Sequence, residues 1–136
     1  MKQKLVLIVL TLIMAFAMTA CGGPSDEEIK AVRDVSFEGT ELTVTLGTNK
    51  STGYEWDYEI DNRDIIGPSV NRTFTITGSE GEGTGEVAIG FKGSAPGNAV
   101  IVLSTPCGWD GSGSGDSYTV NVEVGDGGEI VSAEGK

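Results

Sequence analysis

The 136-residue chain contains no histidine. That absence removes Ser–His and Cys–His nucleophilic systems and most transition-metal sites. Cysteine is scarce as well, with only Cys21 and Cys107. Positive charge is thin: nine Lys and Arg stand against 20 Asp and Glu, a formal net charge of −11. Such a surface repels nucleic acid, so no nucleic-acid partner is expected. Carboxylates are plentiful, but none stands in a context that singles out a pair for glycoside hydrolysis. The chain is therefore read as a binding protein and not an enzyme, with no cofactor and no metal.

The N-terminus opens with Lys2 and Lys4, followed by an apolar run from Leu5 to Ala20 broken only by Thr11 and Thr19. That run is shorter than the roughly 20 residues a membrane-spanning helix needs. It ends in Met18-Thr19-Ala20-Cys21, which resembles a bacterial lipobox, where cleavage precedes a diacylated cysteine. Residues 1–20 are thus expected to be a lipoprotein signal peptide and Cys21 the lipidation site. An ordinary signal peptide or N-terminal anchor is the alternative. Residues 21–30, with Gly22-Gly23-Pro24-Ser25 and Asp26-Glu27-Glu28, read as a flexible tether. The expected location is the extracytoplasmic face of a cell membrane, the protein exported and monomeric. Loss of Lys2 and Lys4 leaves 9 − 2 = 7 basic residues, so the mature charge is 7 − 20 = −13. With Cys21 acylated, Cys107 has no intrachain partner, and stability must come from a packed core.

From Glu41 onward apolar residues recur with period two, as in strands with one buried face. Leu42, Val44 and Leu46 form one set, and Tyr54, Trp56, Tyr58 and Ile60 another. Phe74 and Ile76, then Val87, Ile89 and Phe91, follow. The run from Ala99 to Leu103 reads as a central strand, and Tyr118, Val120, Val122 and Val124 close the series. A weaker strand is placed around Val32 to Phe37. The pattern predicts an all-β, immunoglobulin-like β-sandwich of about seven strands over residues 31–124. Residues 125–136, rich in Gly and acid, are expected to fray.

If successive strands run up and down, every second connection emerges at the same end. Gly47–Gly53, Gly78–Gly85 and Thr105–Asp116 form that set, and all are rich in Gly and small polar residues. Three adaptable loops on a rigid scaffold suit recognition. Within the third, Asp110 to Gly115 partly matches a calcium loop, but the twelfth position is Asn121, not a bidentate Glu. A solvated Gly/Ser loop is the plainer reading. Asn49-Lys50-Ser51 and Asn71-Arg72-Thr73 match glycosylation acceptors by chance. Cys107 has no basic neighbour in sequence to lower its pKa and reads as inert. Trp109, flanked by Gly108 and Asp110-Gly111, is either folded back on the sandwich or presented as a binding anchor.

The loops also carry a family pattern. Asn49-Lys50-Ser51-Thr52-Gly53-Tyr54, then Gly81-Glu82-Gly83-Thr84, then Cys107-Gly108-Trp109 resemble, in order and spacing, the three motifs of chagasin-like inhibitors of papain-family cysteine peptidases. The resemblance runs from about Leu42 to Val124. It implies a reversible inhibitor that wedges three loops into a peptidase's active-site cleft. The residues it implicates are Asn49, Ser51, Thr52, Gly53, Tyr54, Gly81, Gly83, Thr84 and Trp109. Three departures stand out. Lys50 replaces the Pro of N-P-T-T-G, which is expected to loosen the first loop. Thr84 replaces a Gly of G-x-G-G. Cys107-Gly108 replaces the Arg-Pro of R-P-W, which is expected to leave the third loop mobile. The alternative is an exported binding or adhesion module that uses the same loops for another ligand, with calcium as a candidate.

Overall fold

The computed structural model describes residues 25–77 and 83–136. The expected signal peptide, Cys21 and Gly81 lie outside the described residues. A short helix α1 (Asp26–Lys30) precedes eight strands: β1 (Arg33–Glu38), β2 (Glu41–Asn49), β3 (Asp57–Ile60), β4 (Ile66–Ile76), β5 (Thr84–Gly93), β6 (Gly97–Ser104), β7 (Ser117–Val124) and β8 (Ile130–Gly135). They form two four-stranded antiparallel sheets, ordered β1-β2-β5-β4 and β3-β6-β7-β8. This is the immunoglobulin-like sandwich that the period-two pattern predicts.

The core is the alternate residues of each strand, as the pleat requires. Leu42, Val44 and Leu46 of β2 meet Val87, Ile89 and Phe91 of β5 in one sheet. They face Ala99, Ile101 and Leu103 of β6 and Val120, Val122 and Val124 of β7. All of these side chains are buried.

Three expectations are corrected. The acidic tail does not fray: Ile130 is buried and residues 130–135 pair with β7 as an eighth strand. Ile130 joins the core cluster, and β8 packs beside β1 to close that flank. The tether reading fails from Ser25 onward. Ser25 accepts a hydrogen bond from the Glu28 N–H, and Glu28 answers to the Ser25 N–H, a capping box that starts α1. Ile29 on that turn is buried against the sandwich. Finally, Tyr54 and Trp56 share the buried face of the Tyr54–Ile60 pattern without being in a strand. Tyr54 forms only an isolated bridge with Asn49, and regular pairing with β6 starts at Asp57. The chain must reverse after Asn49 and cross to the second sheet here, so the ladder cannot begin earlier.

Candidate binding ridge

Strand directions bring the β2–β3 (50–56), β4–β5 (77–83) and β6–β7 (105–116) connections to one end. They overlap the three segments singled out from the sequence, although Gly47 to Asn49 belong to β2 and Thr84 and Gly85 to β5. Their described parts are hydrogen-bonded to one another and form a ridge at that end. The Lys50 N–H donates to the Gly83 carbonyl at 2.9 Å, linking the first loop to the second. Thr52 Oγ1 donates to the Trp109 carbonyl at 2.8 Å, and Asn49 Nδ2 reaches the same oxygen at 3.3 Å. Cys107 Sγ lies 3.5 Å from the Thr52 carbonyl. First and third loops are thus held together at several points.

Asn49 organises the turn itself. Its carbonyl accepts from the N–H groups of Thr52 and Tyr54, and its Oδ1 accepts from Ser51 Oγ at 2.9 Å. Gly53 carries φ 89°, the left-handed conformation the reversal needs. Gly83 has φ 77°, and a Cβ there would stand 3.0 Å from the Ser51 nitrogen, so glycine permits the two loops to touch.

The aromatic residues run from core to ridge. Trp56 donates its indole N–H to the Gly47 carbonyl at 2.7 Å. Tyr54 meets Trp56 edge-on with ring centroids 5.6 Å apart, and meets Trp109 at 5.0 Å. Trp109 is thus folded back, partly buried against the core, while its carbonyl accepts from Thr52 and Asn49 of the first loop. The Tyr54 hydroxyl donates to Asp116 Oδ2 at 2.6 Å. Burial first, and that hydrogen bond second, push the Tyr54 phenol up to about 12. The Arg33 guanidinium lies over the Trp56 ring at 5.1 Å and over Tyr118 at 5.7 Å, the one cation packed among these rings. Arg33 and Asp116 were not singled out by sequence reasoning. The only available signal was Asp116 closing the third loop, and nothing marked Arg33.

The nine implicated residues divide in two. Ser51 is exposed, and Thr52, Gly53, Gly83 and Trp109 are half-buried on the ridge. Tyr54 is fully buried, Asn49 is 7% exposed and Thr84 only 2%. These three act behind the surface. Thr84 begins β5 opposite Asn49, and its side chain is buried. Gly81 is outside the described residues.

The departures from the family motifs acquire physical content here. A Pro at position 50 has no N–H, so the bond to Gly83 exists because Lys50 stands there; its ammonium also sits 4.3 Å from the Phe74 ring centroid. The expected loosening of the first loop is offset by this cross-loop tie. The third loop, expected to be mobile, has a fastened base and a folded tip. Thr105 and Asp116 bond reciprocally at its base, and Thr105 Oγ1 donates to the Cys107 carbonyl. At the tip Asp110 Oδ1 accepts from the Ser112 N–H and hydroxyl, which holds its carboxyl below the usual range. That carboxylate oxygen is used inside the loop. Among the described residues no three His, Cys, Asp or Glu side chains gather as metal ligands.

The chain is thus an immunoglobulin-like β-sandwich with cross-linked loops at one end. A scan against protein-family models gives no match, and a search of curated proteins gives none either. Among solved structures, the chain is similar to a cysteine protease inhibitor from Entamoeba histolytica. The two share 25% sequence identity at a TM-score of 0.50, over 62% of this chain and 78% of that one.

Proposed function

We propose that this protein is a reversible inhibitor of papain-like cysteine peptidases. The observation that supports it most is the hydrogen bonding at this end: the first loop is tied to the third through Thr52, Asn49 and Trp109, and to Gly83 before β5 through Lys50. Preorganisation lowers the ordering cost of binding, and small side chains such as Ser51, Thr52 and Gly53 suit entry into a cleft. The likeness to a cysteine protease inhibitor structure supports the same partner class. Ser51, Thr52, Gly53 and Gly83 form the part that would enter the cleft, and Trp109 supplies a rigid apolar wall. Asn49, Tyr54 and Thr84 would hold those groups in place from behind. Small residues at the tip leave no extended peptide in register for cleavage, so inhibition needs no covalent bond.

Export and acylation at Cys21 complete the reading: a lipid-anchored inhibitor outside the cell membrane. Titration of the protein into papain, following residual activity, tests the inhibitory part. Stoichiometric, reversible loss of activity is expected. A folded protein that leaves papain untouched at micromolar concentration would transfer the ridge to another ligand, as in an adhesion module. The anchor has its own test, in which Cys21→Ala moves the protein from the detergent phase to the aqueous phase.

A further inference from the structure

The ridge is not alone at its end of the sandwich. β1 begins there, because Arg33 pairs with Leu46 near the end of β2. Helix α1, directly before it, is seated against the same end. A Cβ on Gly47 would fall 1.7 Å from the Ile29 carbonyl oxygen, so α1 lies flush on β2 two residues before Asn49. The Gly47 N–H donates to the Val32 carbonyl at 3.1 Å, and Ile29 is 1% exposed. Lys30 is near enough to Asp110 of the third loop to help lower its carboxyl. The chain therefore leaves the folded domain at Ser25, beside the ridge and not at the far end.

Only four residue steps separate Ser25 from Cys21. At about 3.5 Å per residue, they span at most roughly 14 Å. The far end, with the β5–β6 and β7–β8 turns, is removed by the length of a strand. Eight residues of β7 at about 3.4 Å each give roughly 27 Å. Any bilayer attached through Cys21 is thus on the ridge side. Asp26, Glu27 and Glu28 make the first turn of α1 acidic, and Asp110 lies in the third loop at the same end. Their charge opposes close adhesion to an anionic headgroup layer, so the domain stands off on its tether.

We propose that the anchored protein holds its ridge toward the bilayer, and that tether length limits access of a peptidase from bulk solution. This rests on the lipid-anchor and inhibitor readings above. A gap of roughly 14 Å is smaller than a globular enzyme, whose domain diameter is about 30 Å or more. Docking from solution then requires the sandwich to tip on its tether, which slows association.

Two measurements on the full-length, lipidated protein in liposomes decide this. In a Cys107→Ser background, a donor dye is placed at Ser112→Cys on the ridge or at Asp126→Cys at the far end, with acceptor-labelled lipid. Energy transfer from position 112 should exceed that from 126 at least two-fold; equal or reversed transfer overturns the orientation. Association with papain is then compared before and after inserting a 20-residue Gly/Ser linker between Gly23 and Pro24, which adds a root-mean-square reach of about 25 Å. The linker should speed association at least ten-fold, and equal rates overturn the access limit. Protein released in detergent must inhibit papain. If it does not, the inhibitor reading and the access limit both fall, while the energy-transfer ranking still decides the orientation.

Discussion

Tyr54→Phe isolates the contact that ties the third loop to the core. The substitution deletes one oxygen and leaves the ring in its place between Trp56 and Trp109. What disappears is the 2.6 Å bond from the hydroxyl to the half-buried Asp116 carboxylate. A hydrogen bond to a charged group contributes about 1.5–3 kcal/mol, equivalent to roughly 8–15 °C in Tm for a domain of this size. The pH dependence supplies the sharper test. The folded-state pKa, about 12, lies above the reference value of 10.0. Stabilisation by this group is therefore complete below pH 10 and is lost as pH rises through 12. A displacement of about two units corresponds to at most about 2.7 kcal/mol, burial of the phenol being its larger cause and the Asp116 bond the second. Urea denaturation of wild type and Tyr54→Phe between pH 7 and 12 should give curves that lie apart at neutral pH and converge near pH 12. Parallel curves, or a gap below about 0.5 kcal/mol at pH 7, would refute the assignment.

Other consequences follow from the same geometry. Lys50→Pro restores the family residue yet deletes the N–H that reaches Gly83; inhibition should weaken several-fold, measured as Ki against papain, where a simple stiffening of the loop would strengthen it. Ser51→Arg adds bulk at an exposed ridge position, and Trp109→Ala removes the apolar wall. Combined, they should abolish inhibition while circular dichroism still reports a folded sandwich, and unchanged inhibition would take the ridge out of the mechanism. Gly47→Ala drives a methyl into the Ile29 carbonyl. It should undock α1, cost about 2 kcal/mol through exposure of Ile29, and open Lys30 to trypsin. Deleting residues 130–136 removes a paired strand and the buried Ile130, so Tm should fall by more than 10 °C, whereas a frayed tail could be removed without effect.

Period-two alternation was enough to read the two-sheet sandwich, because a pleated strand with one buried face imposes that period on its own residues. Glycine and small polar residues marked the three loops for a comparable local reason: tight reversals and close approaches admit little else. The sequence also placed those loops at one end, through nothing more than alternating strand direction. Where it misled, the deciding contact was remote. Residues 125–136 look like a solvated tail, and only the open edge of β7 makes them a strand. Ser25 to Lys30 looks like tether, until Gly47 leaves room for Ile29 to be buried. Trp109 could not be assigned from its glycine neighbours, since its ring partner, Tyr54, is 55 positions away in the chain. Likewise Asn49, Tyr54 and Thr84 look like contact residues beside Ser51 and Thr52, but burial puts them behind the ridge. Local sequence sets which residues can turn, pair and alternate. Which polar group meets which across 30 to 60 residues is fixed by packing two sheets face to face, and that contact has no period to announce it.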